Sequence, residues 1–174
     1  MADSTAQVVI IGAGIMGASI AYHLAARGCT DICILEQGET EITGSTARSA
    51  AGVRHQFSSE VNIRMSIYGI ERIKHFTEEV GGHAEFRQIG YLFLINNPAD
   101  WEEYQRSVAL QRSLGVRTEL LTPEEAGRFV PGTRTDDLLG ATYGPEDGHV
   151  DPYGIALGYL NRARALGARL LRAT

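Results

Sequence analysis

The sequence predicts an α/β fold: a βαβ unit at the start, a mixed α and β segment in the middle, and a helix and strand that return to the first unit. Three observations predict it. An apolar run at residues 8–11 meets three glycines, Gly12, Gly14 and Gly17, and passes into a helical pattern that ends near Arg27. A second apolar run at residues 32–35 closes on an acid, Glu36. Beyond residue 81, short apolar runs suited to strands alternate with helical stretches, and Asp151 then opens one more helix.

The opening unit is read first. Residues 8–11 are β-branched and apolar, which suits a buried parallel strand. The helix over 15–27 places Ala18, Ala21 and Ala25 at helical spacing, small enough for close packing on a sheet, and Gly28 follows as its C-terminal glycine. Each glycine of the loop has a physical task. Gly12 permits the tight turn out of the strand, Gly14 keeps a side chain away from an approaching pyrophosphate, and Gly17 lets helix and sheet approach. The helix N-terminus offers N–H groups and the positive end of a dipole to phosphates. Glu36 lies 19 residues after Gly17, where a carboxylate accepts hydrogen bonds from ribose hydroxyls. A carboxylate there repels a 2′-phosphate, so NADP is disfavoured, and FAD and NAD both remain.

Residues 38–59 are small and polar, a composition for loops. A helix is expected from Ser58 or Ser59 to about Val80, with Ile63, Ile67, Ile70 and Ile73 on one stripe and Gly81-Gly82 as its stop. Residues 85–88 and 90–95 read as a hairpin-like strand pair. Pro98 opens a helix to Leu114, residues 116–121 form a short strand, and Thr122-Pro123-Glu124-Glu125 is a capping box. Residues 139–143 form another strand, residues 145–148 a turn, and Asp151 caps a helix over 152–166 before a strand begins near Ala168. The expected organisation is a nucleotide-binding part at 1–80, a partial second domain at 81–150, and a return at 151–174. Two or three parallel strands leave a doubly wound sheet incomplete, so the chain is expected to be truncated.

Bulk properties exclude other classes. The chain has 174 residues, 44% of them hydrophobic, enough for a sizeable core. A net charge of −5 gives no footprint for nucleic acid or an anionic membrane. No apolar run reaches the length of a membrane span. The polar start at 1–7 lacks basic residues and resembles neither a secretory signal nor a transit peptide. Cys29 and Cys33 have no metal or redox spacing, so both are assigned to packing, no metal is expected, and a reducing cytoplasm fits. His23, His75 and His83 are read as solvent-facing, and His149 as structural.

The stretch Gly44-Ser45-Thr46-Ala47-Arg48-Ser49-Ala50-Ala51-Gly52-Val53-Arg54-His55-Gln56-Phe57 resembles the second flavin-contacting segment of the D-amino-acid oxidase superfamily. It is most similar to the branch of sarcosine oxidase, dimethylglycine dehydrogenase and the proline dehydrogenase β-subunit. Asp147-Gly148-His149-Val150-Asp151-Pro152 resembles the segment where that family's chain leaves its substrate domain. With the glycine loop, three motifs stand in the family's order, over essentially the whole chain but only the front half of the family's length.

The resemblance implies a Rossmann-like FAD-binding unit joined to part of a mixed α+β substrate domain. It implies, for the full-length parent, oxidation of the C–N bond of a secondary or tertiary amine or an amino acid by hydride-equivalent transfer to flavin N5. The truncated chain alone is expected to bind flavin weakly and to be inactive without its missing half. Gly12, Ala13, Gly14, Ile15, Met16 and Gly17 carry over as the pyrophosphate loop, and Glu36 with Gln37 as the adenosine-ribose contact. Ser45, Thr46, Arg48 and Ser49 match the segment along the pyrophosphate and ribityl chain, and Gly52 the approach to the flavin ring. Arg54 and His55 are the catalytic candidates, as positive charge near the flavin or as a carboxylate site. A small-molecule amine or amino acid is the implied substrate, and a partner subunit or missing C-terminal half is expected to complete the fold. Two alternatives stay open: an NAD-dependent dehydrogenase, which would not need the 45–56 segment, and a non-catalytic nucleotide-binding fragment.

Overall fold

A computed structural model of the chain describes residues 5–174. The expectation for the polar start therefore lies, at residues 1–4, outside the described residues. The chain forms two compact units. One contains residues up to 51, 74–85 and 151–174; the other contains 52–73 and 86–150.

The first unit is built on a three-stranded parallel sheet. Strand β1 (Val8–Ile11) pairs with β2 (Ile32–Leu35), and β2 takes the last strand of the chain on its other side. That last strand is Arg169–Leu171. The helix α1 (Ile15–Ala25) connects β1 to β2. It buries Ala18, Ala21 and Ala25 in the same apolar core as Ile10, Ile32 and Ile34, together with Leu160 and Ala163 of the chain's final helix, Pro152–Ala165. Small residues let two helices and a sheet meet at this core, with the strand isoleucines and Leu160 filling it. Val9 and Ile11 of β1 are exposed.

The second unit begins at β3 (Gly52–Val53) and continues into α2 (Glu60–Lys74). The helix expected to run unbroken to Val80 breaks at His75, and α3 (Phe76–Val80) restarts beyond it in the first unit. Phe76 is buried there, edge-on to Tyr159, so burying this ring replaces helical continuity as the determining interaction. Next come β4 (Tyr91–Ile95), α4 (Pro98–Ser113), β5 (Glu119–Leu121), α5 (Pro123–Phe129), β6 (Gly140–Gly144) and β7 (Gly148–His149), all in the second unit, followed by α6 (Pro152–Ala165) and β8 (Arg169–Leu171) in the first. Asn97 caps α4 and Thr122 caps α5 through a full capping box.

The hairpin expected from 85–95 does not form. Strand β4 pairs antiparallel with β6 instead, and β6 lies between β4 and β5. Arg87 bridges to His149. The apolar β4 gains a central strand, Gly140–Gly144, that is nearly all buried, which a two-stranded hairpin would not supply. His83 is exposed, but His23 and His75 are half-buried. The His23 ring packs near Tyr22 and Tyr159; burial chiefly, then the nearby Arg27 charge, lowers its pKa.

Candidate functional site

In the first unit, the turn after β1 sets the geometry. Gly12 has φ +95°, a left-handed conformation that side chains disfavour. Its N–H donates to the Leu35 carbonyl at 2.7 Å, carrying the β1–β2 pairing into the turn. A Cβ on Gly17 would collide with the Gly12 carbonyl oxygen, so α1 sits directly on the turn. Gly14 is the N-cap, and a Cβ there would stand 3.2 Å from Thr46 Oγ1.

Two loop N–H groups already have partners. Ala13 donates to Glu36 Oε2 at 2.9 Å, and Ile15 donates to Thr46 Oγ1 at 3.1 Å. Among the described residues, the N–H groups of Gly14, Met16 and Gly17 meet no acceptor. Three free donors at a helix N-terminus are a site for an anion.

Glu36 directly follows β2, with 9% of its surface exposed. Its Oε1 accepts the Gly38 N–H at 2.9 Å while Oε2 accepts that of Ala13. These bonds, Gly38 first and then Ala13, hold its pKa below the usual value against the opposing effect of burial, so the carboxylate is ionised at neutral pH. A carboxylate has room for about four hydrogen bonds, so acceptor capacity remains for hydroxyls.

Two cavities adjoin at this turn, of about 580 Å3 and about 440 Å3. They share Ile11, Gly12, Gly14, Ser45 and Thr46. The larger reaches Glu36 and Gln37; the smaller reaches Ile15, Met16, Gly17 and Ser49. Most of the expected cofactor residues are therefore together. Ala13 is fully buried and serves through its N–H. Arg48 is exposed and lines neither cavity, and Gly52 belongs to the second unit.

Sequence reasoning missed Ile42, Thr43, Thr174 and Pro152 in the lining. Ile42 is buried at φ +63°, a costly backbone for a β-branched residue and one of the outliers that gather at ligand sites. The C-terminal residues reach the trough because Ala173 and Thr174 donate to the carbonyls of Gly38 and Glu36, and Arg172 pairs with Glu41 at 2.8 Å. The donor set fits a dinucleotide: free N–H groups for phosphates, an ionised acceptor for ribose hydroxyls, and no Cβ at Gly14.

In the second unit, Arg54 lies among aromatic rings. Its guanidinium carbon is 4.9 Å from the Phe57 centroid, 5.2 Å from Phe93 and 5.8 Å from Tyr91. It forms no ion pair with a carboxylate among the described residues. It lines a cavity of about 230 Å3 with Gln56, Phe93, Tyr104, Gln111 and two acids, Asp100 and Glu103. The Tyr104 phenol is pushed up by burial, with the Arg54 charge opposing.

The other catalytic candidate, His55, does not line that cavity. It is buried, with Nδ1 2.7 Å from Asp147 Oδ1. A carboxylate only accepts, so Nδ1 carries the proton and donates. Asp147 was legible as a turn residue and as part of a family-like segment, but nothing local in the sequence signals a partner 92 residues away.

Similar proteins extend this picture. Human mitochondrial sarcosine dehydrogenase is 34% identical over 170 residues, spanning 97% of this chain and 18% of that protein. Rat mitochondrial dimethylglycine dehydrogenase is 31% identical over 166 residues, spanning 95% of this chain and 19% of that protein. The crystal structure of L-proline dehydrogenase from P. horikoshii superposes with a TM-score of 0.85 at 36% identity, over 97% of this chain and 44% of that one. The chain thus spans about a fifth of the first two proteins and less than half of the third. The model of the FAD dependent oxidoreductase family, DAO, matches residues 7–174, and the chain belongs to that family.

Proposed function

We propose that the protein is an FAD-dependent oxidoreductase that oxidises the C–N bond of a small secondary or tertiary amine or amino acid. The observation that carries the reading is the ionised Glu36 beside a trough with three free N–H groups. Bound FAD would accept the hydride equivalent that leaves the substrate carbon, and that chemistry belongs to the cofactor. The chain's own residues hold and orient. The N–H groups of Gly14, Met16 and Gly17 neutralise pyrophosphate charge, Glu36 accepts from the ribose, and the hydroxyls of Ser45, Thr46 and Ser49 accompany the chain between them. Arg54 binds the substrate carboxylate, because its guanidinium forms no ion pair among the described residues and lies at a cavity. The nicotinamide alternative finds no support in the family match.

Relatives named for sarcosine, dimethylglycine and proline suggest the substrate class. The exposed Val9 on β1 suits coverage by a partner subunit or by further chain, while Ile11 lines the cofactor trough. A cytoplasmic setting agrees with the two free cysteines, and cell fractionation tests it. No helix among the described residues is long and apolar enough to cross a membrane.

The test is turnover of sarcosine, dimethylglycine, proline and glycine by the FAD-loaded protein with a dye acceptor. Oxidation of at least one, weakened by Arg54→Gln, is expected. Flavin-loaded protein that oxidises none of them contradicts the substrate class. NAD-dependent oxidation contradicts the cofactor.

A further inference from the structure

We propose that Asp147 is a positioning residue for Arg54, acting through the segment that carries it. The inference rests on the reading of Arg54 as the carboxylate-binding group.

Asp147 is 1% exposed, and a buried carboxylate is costly unless donors surround it. Here all of its donors come from one short segment. Oδ1 accepts the His55 backbone N–H at 2.8 Å and the His55 ring Nδ1–H at 2.7 Å. Oδ2 accepts from Gln56 Nε2 at 3.0 Å. The same Nε2 donates to the Tyr91 carbonyl at 2.9 Å, and Thr142 Oγ1 donates to Gln56 Oε1 at 2.7 Å.

Room for the carboxylate is built in. A Cβ on Gly144 would collide with Asp147 Oδ2. The Asp147 backbone is held by the Gly90 N–H, which donates to its carbonyl at 2.9 Å.

Arg54 is the residue next to this clamp. Its Nε approaches the Gln56 carbonyl at 3.4 Å, and its guanidinium faces Phe57, Tyr91 and Phe93. The bonds at His55 and Gln56 hold the segment from which Arg54 projects, and the Gln56 carbonyl and the three rings receive its side chain. The carboxylate therefore sets where the guanidinium meets the cavity, without touching the ligand itself. This gives the Asp147-Gly148-His149 segment a task that its reading as a turn did not.

The test uses FAD-loaded protein as wild type, Arg54→Gln, Asp147→Asn and the double variant. The probes are sarcosine, proline and glycine, each paired with its counterpart lacking the carboxylate: dimethylamine, pyrrolidine and methylamine. Dissociation constants are read from the flavin spectrum, with bound flavin and melting temperature recorded for every variant. Arg54→Gln is expected to raise the Kd of the amino acid that binds by roughly 10–100-fold, the scale of one charge-assisted pair. Asp147→Asn is expected to raise it about 5–30-fold, to leave the carboxylate-free amine within about 2-fold, and to add nothing to Arg54→Gln, because one interaction is lost once.

Equal weakening of both probe types, a shift that adds to Arg54→Gln, or no shift at all overturns the positioning role. An unchanged Kd in Arg54→Gln, or no binding of any amino acid by wild type, instead overturns the Arg54 reading beneath it. If Asp147→Asn fails to fold, Thr142→Val removes only the bond to Gln56 Oε1. It is expected to shift the amino-acid Kd about 3-fold in the same selective way, and an unselective or absent shift overturns the proposal.

Discussion

Replacing Gly14 by alanine separates the fold of the glycine turn from its grip on the cofactor. Gly14 has φ −79° and ψ −175°, a backbone that alanine adopts without strain. The added Cβ would stand 3.2 Å from Thr46 Oγ1, a few tenths of an ångström closer than an ordinary contact. A threonine side chain can yield by that much, so the cost to stability is about 0.5–1.5 kcal/mol. For a chain of this size, that is a fall in melting temperature of a few degrees at most, on the order of 2–4 °C per kcal/mol. The ligand has no such freedom. Gly14 lines both cavities beside its own N–H and that of Met16. A methyl group there keeps a phosphate about 1 Å or more from those donors, and each lost charge-assisted bond costs about 1.5–3 kcal/mol. FAD affinity should fall roughly 10–150-fold per lost bond. Flavin fluorescence titration gives the affinity, and thermal melting without FAD gives the stability. An unchanged FAD affinity, or a loss matched by collapse of the cofactor-free fold, refutes the reasoning.

Glu36→Ala strips the acceptor from two N–H groups, and the cofactor-free protein should lose about 2–4 kcal/mol in denaturant unfolding. The pH dependence has a definite sign. The folded pKa of Glu36 lies below its ordinary value of 4.5, so its contribution is full above about pH 4.5 and disappears as pH falls through the folded pKa. Wild type should therefore lose more stability than Glu36→Gln on acidification below pH 4.5, and parallel curves would contradict this. Gly17→Ala must move α1 off the Gly12 carbonyl, and a loss of about 2 kcal/mol or more is expected by thermal unfolding. Thr122→Ala removes one half of the capping box of α5 and should cost about 1 kcal/mol without altering FAD affinity.

The parts of the fold that sequence made legible are those fixed by neighbours along the chain. The glycine turn, α1, the acid at the end of β2 and the capped starts of α4, α5 and α6 each follow from residues within one or two turns of one another. Strand partnership was not legible in the middle. The apolar β4 has no local marker for β6, which begins 45 residues after the end of β4 at Ile95. The break at His75 was hidden because the isoleucine stripe continues to Ile73, while the determinant is the burial of Phe76. At the candidate site, Glu36 was legible by type and spacing, and Thr46 through the resemblance of the 44–57 stretch. Asp147 was not, because a turn sequence reads the same whether its aspartate faces water or clamps His55 and Gln56.

The most direct test is titration of the protein with FAD, followed by challenge with excess NAD. Saturable one-to-one binding that NAD does not displace, and that Gly14→Ala and Glu36→Ala both weaken, is the expected result. No saturable binding, or flavin displaced by NAD as readily as by FAD, would contradict the assignment of the Gly12–Glu36 trough to a flavin dinucleotide.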